Sequence, residues 1–269
     1  MTCTSGAEAP EGWVRVAVID AENRNQWFRT YRRDGKVRVR LICFPHAGGT
    51  ATLFHRWPGH LPADVELLAT QYPGRQERFA EPCVETMAEL ADRITDALEP
   101  VVTGPRRLPF VLFGHSLGSA VAYEVARRLD ERHGIVPDRV IVSGRSAPHA
   151  PRGSATLHTL DDERLIAAAR HLGNMASSVY DDPDLRPLLL PSLRSDFRVI
   201  ESYRPHDPAP LRAPVTAVGG DRDPGCPVAE LESWSSLTTA GFESRVFPGD
   251  HFYLVPTEAE LLAFIAERL

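Results

Sequence analysis

Short apolar runs alternate with longer stretches of helical period along this chain, and few folds accommodate that pattern. The runs are Val37 to Phe44, Val65 to Ala69, Phe110 to Phe113, Arg139 to Val142, Val215 to Val218 and Arg245 to Phe247. They are rich in Val, Ile, Leu and Phe and suit strands buried on both faces of a parallel sheet. Between them lie amphipathic stretches, including Thr86 to Leu98, Leu117 to Leu129 and a final helix that Thr257 and Glu260 open as a capping box. The alternation predicts an α/β fold, a mostly parallel central sheet flanked by helices, with ligands outside the carboxyl ends of the strands.

The pattern lapses between about Ala147 and Leu211, where Asp161 to Leu172 and Asp184 to Tyr203 carry helical signals and no strand is evident. The breaker cluster His206-Asp207-Pro208-Ala209-Pro210 closes this stretch. The expected organisation is a flexible N-terminal segment over 1–24, a first part of the core over 25–148, a helical lid insertion over 149–210 and a second part of the core over 211–269. One core is expected, because α/β chains of 269 residues routinely close around a single one.

Composition removes several classes of function. The chain carries a net charge of −6, which lacks the electrostatic footprint of a nucleic-acid binder. No run approaches the roughly 18 apolar residues of a membrane span. Cys3, Cys43, Cys83 and Cys226 are widely separated and show no metal-ligand spacing, so no metal site is expected of them. The opening residues lack a signal-peptide pattern, and a cytoplasmic address is the simplest expectation.

The strongest chemical signal is Gly114-His115-Ser116-Leu117-Gly118, directly after one apolar run and before a helix. A G-x-S-x-G sequence in that setting describes a nucleophile elbow, with the serine at a tight strand-to-helix turn and amide donors at the helix start. Ser116 is therefore the candidate nucleophile. A serine hydroxyl needs a base and an acid, which the α/β-hydrolase order places later in the chain as Asp/Glu and then His. His251 is the one histidine that follows the Asp-bearing loop Gly220-Asp221-Arg222-Asp223. Asp221, Asp223 and Asp250 compete for the acid; Asp223 is favoured as the end of a G-x-x-D turn, and Asp221 is read as a turn former.

A second loop, Cys43-Phe44-Pro45-His46-Ala47-Gly48-Gly49, follows the first core strand. It has no G-K-[ST] sequel and no spaced GxGxxG, which speaks against a nucleotide site. In an α/β hydrolase this loop supplies one amide of the oxyanion hole and the residue after the nucleophile supplies the other, which nominates Ala47 and Leu117. His46 is read as shaping this loop without transferring a proton.

With these residues in place, the sequence resembles the type II, or editing, thioesterases of polyketide and nonribosomal peptide synthesis. The resemblance runs from Asn25-Gln26-Trp27-Phe28 through Leu41 to Gly49, Gln71-Tyr72-Pro73-Gly74-Arg75-Gln76-Glu77-Arg78 and the GHSLG elbow. It continues through Val142-Ser143-Gly144-Arg145-Ser146-Ala147-Pro148 and Leu190-Pro191-Ser192-Leu193-Arg194-Ser195-Asp196-Phe197 to Phe247-Pro248-Gly249-Asp250-His251-Phe252-Tyr253-Leu254. Leu117 stands where the family often has methionine, and Leu172-Gly173-Asn174 where Leu-Gly-Gly is common.

The resemblance implies a serine hydrolase that cleaves acyl thioesters from the phosphopantetheine arm of an acyl or peptidyl carrier protein, clearing aberrant or stalled acyl groups. It implies Ser116, Asp223 and His251 as the triad, with no metal or cofactor of the chain's own and the pantetheine carried by the partner. Two other readings stand beside it: a chain-releasing thioesterase or acyltransferase using the same triad, and a non-catalytic carrier-protein binding module. A monomer is expected. Arg75, Arg78, Arg152, Arg186 and Arg194 are candidates for a basic docking patch, and Leu188-Leu189-Leu190 either lines an acyl tunnel or glues the lid to the core.

Overall fold

The computed structural model describes residues 26–31, 36–150, 156–173, 177–205 and 207–269. Among them seven strands form one sheet: β1 (Phe28–Tyr31), β2 (Val39–Phe44), β3 (Val65–Thr70), β4 (Phe110–His115), β5 (Arg139–Ser143), β6 (Val215–Gly220) and β7 (Phe242–Phe247). Their spatial order is β1-β3-β2-β4-β5-β6-β7. Every neighbouring pair is parallel except β1 with β3. The predicted α/β architecture is therefore the observed one.

Alternation within each run sends successive side chains to opposite faces, so one sheet serves two cores. Ile42, Phe44, Leu112 and Val142 face α1 (Met87–Thr103) and α2 (Leu117–His133). Leu41, Cys43, Phe113 and Ile141 face the opposite layer, where Phe54 and Trp57 pack with the C-terminal residues Leu261, Leu262 and Ile265. Phe54, Trp57 and Phe113 meet edge to face, with the Trp57 and Phe113 rings 4.9 Å apart.

Between β5 and β6 the described residues form α3 (Asp162–His171) and α4 (Arg186–Ser202) and no strand. These helices lie over the carboxyl edge of the sheet and join the first core through Leu165, Leu190, Leu193 and Phe197. A four-residue helix α5 (Val228–Leu231) follows β6, and α6 (Glu258–Ala266) ends the fold. Residues 1–24, Asn25, Arg152, Asn174 and His206, on which several sequence readings fall, lie outside the described residues.

Three local expectations are corrected. The sheet gains an edge strand, β1, beyond the six apolar runs, because Phe28-Arg29-Thr30-Tyr31 is short and half buried and has no apolar run to mark it. Helix α1 runs through Pro100 to Thr103 instead of stopping near Leu98; its start is capped by Thr86, whose hydroxyl accepts the Glu89 amide at 3.3 Å. The capping box at Thr257 does not form. The chain enters α6 from a preceding turn, and the Thr257 hydroxyl donates to the Tyr253 carbonyl at 2.7 Å instead of capping the helix.

The central position of Phe113 sets an expected outcome for stability. Phe113→Ala removes a fully buried ring that two aromatic neighbours touch and should cost about 3 to 5 kcal/mol, read as a lowered urea midpoint. A loss below about 1 kcal/mol would show that this layer does not depend on the cluster.

Candidate active site

Four loops leave the carboxyl edge of the sheet next to one another, because β2, β4, β5 and β6 are consecutive neighbours and β7 follows. The central loop is the turn between β4 and α2. Ser116 sits there with φ 56° and ψ −113°, a left-handed backbone that a non-glycine residue adopts only when its surroundings impose it. The surroundings are backbone. A Cβ on Gly114 would lie 2.0 Å from the Gly118 carbonyl oxygen, and a Cβ on Gly118 would lie 2.0 Å from the Phe44 carbonyl oxygen. Both positions must be glycine for β2, β4 and α2 to approach this closely. The Ser116 amide then donates to the Ser143 carbonyl at 2.8 Å, which fixes the turn against β5.

The loop after β6 brings Asp223 beneath the loop after β7. The Asp223 Oδ1 accepts the Gly225 amide at 2.7 Å and the Cys226 amide at 3.2 Å. Its Oδ2 lies 2.8 Å from His251 Nδ1. A carboxylate oxygen accepts, so Nδ1 carries the proton, and in the neutral tautomer this leaves Nε2 as the acceptor. Asp223 and His251 are both buried, and the His251 backbone amide donates to the Leu172 carbonyl at 3.3 Å. The other two aspartates bond backbone amides: Asp221, expected as a turn former, reaches across to the loop after β7 and accepts the Gly249 amide at 2.7 Å, and Asp250 accepts the Phe252 amide at 2.8 Å within its own loop.

Ser116 and His251 line one cavity of about 800 Å³. Ala47 and Gly48 form its wall on one side, and Leu172, Tyr180, Leu189, Leu193, Phe197 and Ile200 supply an apolar face from the helices above. Among the described residues the one hydrogen bond of the His251 ring is to Asp223, and none joins it to the Ser116 hydroxyl. The Leu117 amide is the first of α2 and has no carbonyl one turn earlier to accept it. The described residues contain no cluster of His, Cys, Asp and Glu able to hold a metal ion, and no helix long and apolar enough to cross a membrane.

Two further histidines surround the pair. His115 is fully buried, its Nδ1 2.9 Å from Ser143 Oγ, which in turn lies 2.7 Å from the Tyr253 hydroxyl. His46 is buried against Phe252 and His115. Burial, then the neighbouring His251, hold the His115 ring well below its ordinary range and bring His46 down to about 3. Both rings are neutral at neutral pH. His46 thus packs beside the site as expected.

The loop containing Ala47 is held from above. Asp196 on α4 is buried; its Oδ2 accepts the Gly48 amide at 2.7 Å and lies 2.6 Å from Arg75 Nη1, and its Oδ1 lies 2.8 Å from Arg75 Nη2. Arg75 also donates to the Gly49 carbonyl at 3.1 Å. Arg75 is therefore a buried structural residue and not a member of a docking patch. Arg78 is likewise buried, stacked 4.1 Å from the centre of the Trp27 ring and paired with Glu81. Arg186 pairs with Glu163, and Arg194 bonds the carbonyls of His158 and Leu160, so both brace the helices around the cavity. The leucine run divides: Leu188 is exposed, Leu189 lines the cavity and Leu190 enters the core. Sequence reasoning passed over Asp196, although a carboxylate within the apolar stripe of Leu189, Leu193, Phe197 and Ile200 is the mark of a buried partner.

Comparison with known proteins adds kinship to this geometry. The thioesterase-domain family model matches residues 39–269. The chain is 42% identical to thioesterase PikA5 of Streptomyces venezuelae over 90% of its length and 85% of that protein. It is 33% identical to the gramicidin S biosynthesis protein GrsT of Aneurinibacillus migulanus, over 91% of this chain and 94% of the relative. Among solved structures, the type II thioesterase BorB from the borrelidin biosynthetic cluster superposes with a TM-score of 0.80 at 39% identity, covering 90% of this chain and 97% of that one.

The neutral histidines generate a pH dependence. Below pH 6.5 the unfolded chain protonates both rings, while in the folded chain His46 stays neutral down to about pH 3 and His115 is also depressed. The unfolded state then binds more protons, so stability falls as pH drops through this window, by at most about 1.4 kcal/mol per pH unit for each ring. His46→Leu should reduce the loss of urea midpoint between pH 6.5 and pH 4.5. A pH dependence identical to that of the native protein would contradict this assignment.

Proposed function

This chain belongs to the thioesterase family, and on that premise we propose that it is an editing hydrolase in which Ser116, His251 and Asp223 form the catalytic triad. Its substrates are acyl groups held as thioesters on the phosphopantetheine arm of an acyl or peptidyl carrier protein. Its role is to clear aberrant or stalled acyl groups from a polyketide or nonribosomal peptide synthase. The observation that supports the reading most is the Asp223–His251 contact of 2.8 Å beside the strained Ser116 turn, in one apolar cavity. The kinship with the type II thioesterase BorB favours water as the acceptor over another nucleophile.

The steps follow from the groups present. The acyl chain lies along the apolar face, and its thioester carbonyl carbon meets Ser116 Oγ. His251 Nε2 takes the serine proton as the new C–O bond forms, and the carbonyl electrons move onto oxygen. That oxyanion is met by the Ala47 and Leu117 amides, the second at the positive end of α2. Asp223 keeps the proton on Nδ1 and stabilises the imidazolium. The intermediate collapses, the C–S bond breaks and His251 protonates the departing pantetheine thiolate. Water, deprotonated by the same ring, then attacks the acyl-serine, and the ring passes that proton to Ser116 Oγ as the ester C–O bond breaks and the carboxylic acid leaves. Neutral His46 and His115 place no positive charge beside the imidazolium, which would oppose its formation.

The helices between β5 and β6 act as a lid in this reading, because the face they present excludes water from an acyl chain. Specificity for acyl length then resides in Leu189, Leu193, Phe197 and Ile200, where the chain would end.

The test is release of short and long acyl groups from a phosphopantetheinylated carrier protein, compared with the same groups on free coenzyme A. Hydrolysis from the carrier is expected, lost by at least about a thousandfold in Ser116→Ala and by about ten thousandfold in Asp223→Asn, which presents the wrong tautomer. Unchanged turnover in Ser116→Ala would overturn the assignment of the nucleophile. Transfer to an added alcohol or amine in excess of hydrolysis would replace the editing role by a chain-releasing one.

A further inference from the structure

The oxyanion loop is the part of the site with least support from the sheet. It leaves β2 at Phe44 and turns back at once, with the Gly49 amide on the His46 carbonyl at 2.9 Å. Gly48 within it has φ +75°, a conformation favoured by glycine and of little intrinsic preference. A flexible glycine next to Ala47 leaves the direction of the Ala47 peptide unfixed unless something outside the loop holds it. One side chain does so. The Asp196 Oδ2 accepts the Gly48 amide at 2.7 Å, and this amide belongs to the peptide plane that follows Ala47.

The carboxylate is itself immobilised. Arg75 grips both of its oxygens, at 2.6 Å and 2.8 Å, and holds the Gly49 carbonyl at 3.1 Å with the same nitrogen that meets Oδ2. The two side chains are 4% and 5% exposed, so water neither competes for these bonds nor substitutes for them. One helical turn before Asp196, Leu193 Cδ1 lies 2.7 Å from the point that a Gly48 Cβ would occupy. Helix α4 thus reaches the loop with an apolar contact and a hydrogen bond at once. Neither residue touches the reacting atoms.

We propose that Asp196, locked by Arg75, is a positioning residue for the oxyanion hole: it holds the Gly48 peptide, aims the Ala47 amide, and makes the competence of Ser116 depend on the seating of α4. The inference rests on the reading of Ser116 and Ala47 given above. It follows that α4 serves as a fixed element of the site, because displacing it releases the oxyanion loop.

Removing one charge alone leaves its buried partner unpaired and disturbs folding, so the test uses two double variants. Arg75→Met with Asp196→Asn removes both charges and keeps an oxygen that accepts the Gly48 amide. Arg75→Met with Asp196→Leu removes both charges and the acceptor, with nearly the same side-chain shape. Both are first shown to be folded by their unfolding temperature. The first, which keeps the acceptor without the Arg75 clamp, is expected to retain a kcat at least about fivefold above that of the second. The second should lose about ten- to a hundredfold in kcat with KM within about twofold, a partial form of deleting one oxyanion donor. Its affinity for an alkyl trifluoromethyl ketone, which forms an oxyanion on the serine, should fall by a similar factor.

Equal kcat in the two variants, or an unchanged ketone affinity in the second, would overturn the proposal. If either double variant is unfolded, Arg75→Lys decides: it frees the carboxylate to rotate, so reduced kcat at constant KM supports the role and native kcat refutes it. Ser116→Ala, run alongside, keeps the outcomes separate. Residual turnover there removes the nucleophile assignment, whereas full loss there with equal double variants removes the positioning role alone.

Discussion

Contact between bare backbones at the carboxyl edge of the sheet is the constraint on which this structure turns. Gly118 at the start of α2 touches the Phe44 carbonyl of β2, and Gly114 at the end of β4 touches the Gly118 carbonyl. No side chain fits between these segments. The chain can join β4 to α2 within one residue only by placing Ser116 at φ 56°. The strain is sustained by the cores on both faces, where β4 contributes Phe110 and Leu112 to one and Val111 and Phe113 to the other. A serine hydroxyl at the cavity wall, followed by the first amide of α2, is the product of that packing.

Around the elbow, polar groups are buried in matched sets. Asp223 divides its oxygens between two backbone amides at Oδ1 and His251 at Oδ2, so the amides and the ring do not compete for one oxygen. Asp196 divides its own between Arg75 and the Gly48 amide. Each carboxylate ties a loop of the core to a neighbouring element, and each sits where solvent would otherwise loosen it. The two differ in kind. In the proposed mechanism the Asp223 contact orients a group that exchanges protons, whereas the proposed Asp196 role orients backbone that carries only partial charge.

Much of this was legible in the residues. Apolar runs with β-branched side chains predicted six of the strands, and the Gly114 to Gly118 sequence located the turn because glycine is needed there for steric reasons that no other residue satisfies. Asp223 and His251 were reachable from chain order and loop position, and the structure brings them together. The edge strand β1 was not, since its half-buried residues carry no pattern of their own. The fate of the arginines was also hidden. Arg75 and Arg78 look like surface charges, and only the fold reveals that Asp196, 121 residues away from Arg75, enters the same buried space. Long-range ion pairs leave no period or spacing in a sequence, and the one hint, an acid within an apolar helical stripe, does not name its partner.

The central claim is that a carrier-borne acyl group passes through a covalent ester on Ser116. Rapid mixing of the protein with an acylated carrier protein, acid quenching and mass spectrometry of the digested chain would test it. The account predicts an added acyl mass on the peptide containing Ser116, which appears before free acid accumulates and then decays. An acyl adduct on another residue, or free acid released with no adduct at any time under conditions that trap acyl-serines, would contradict it.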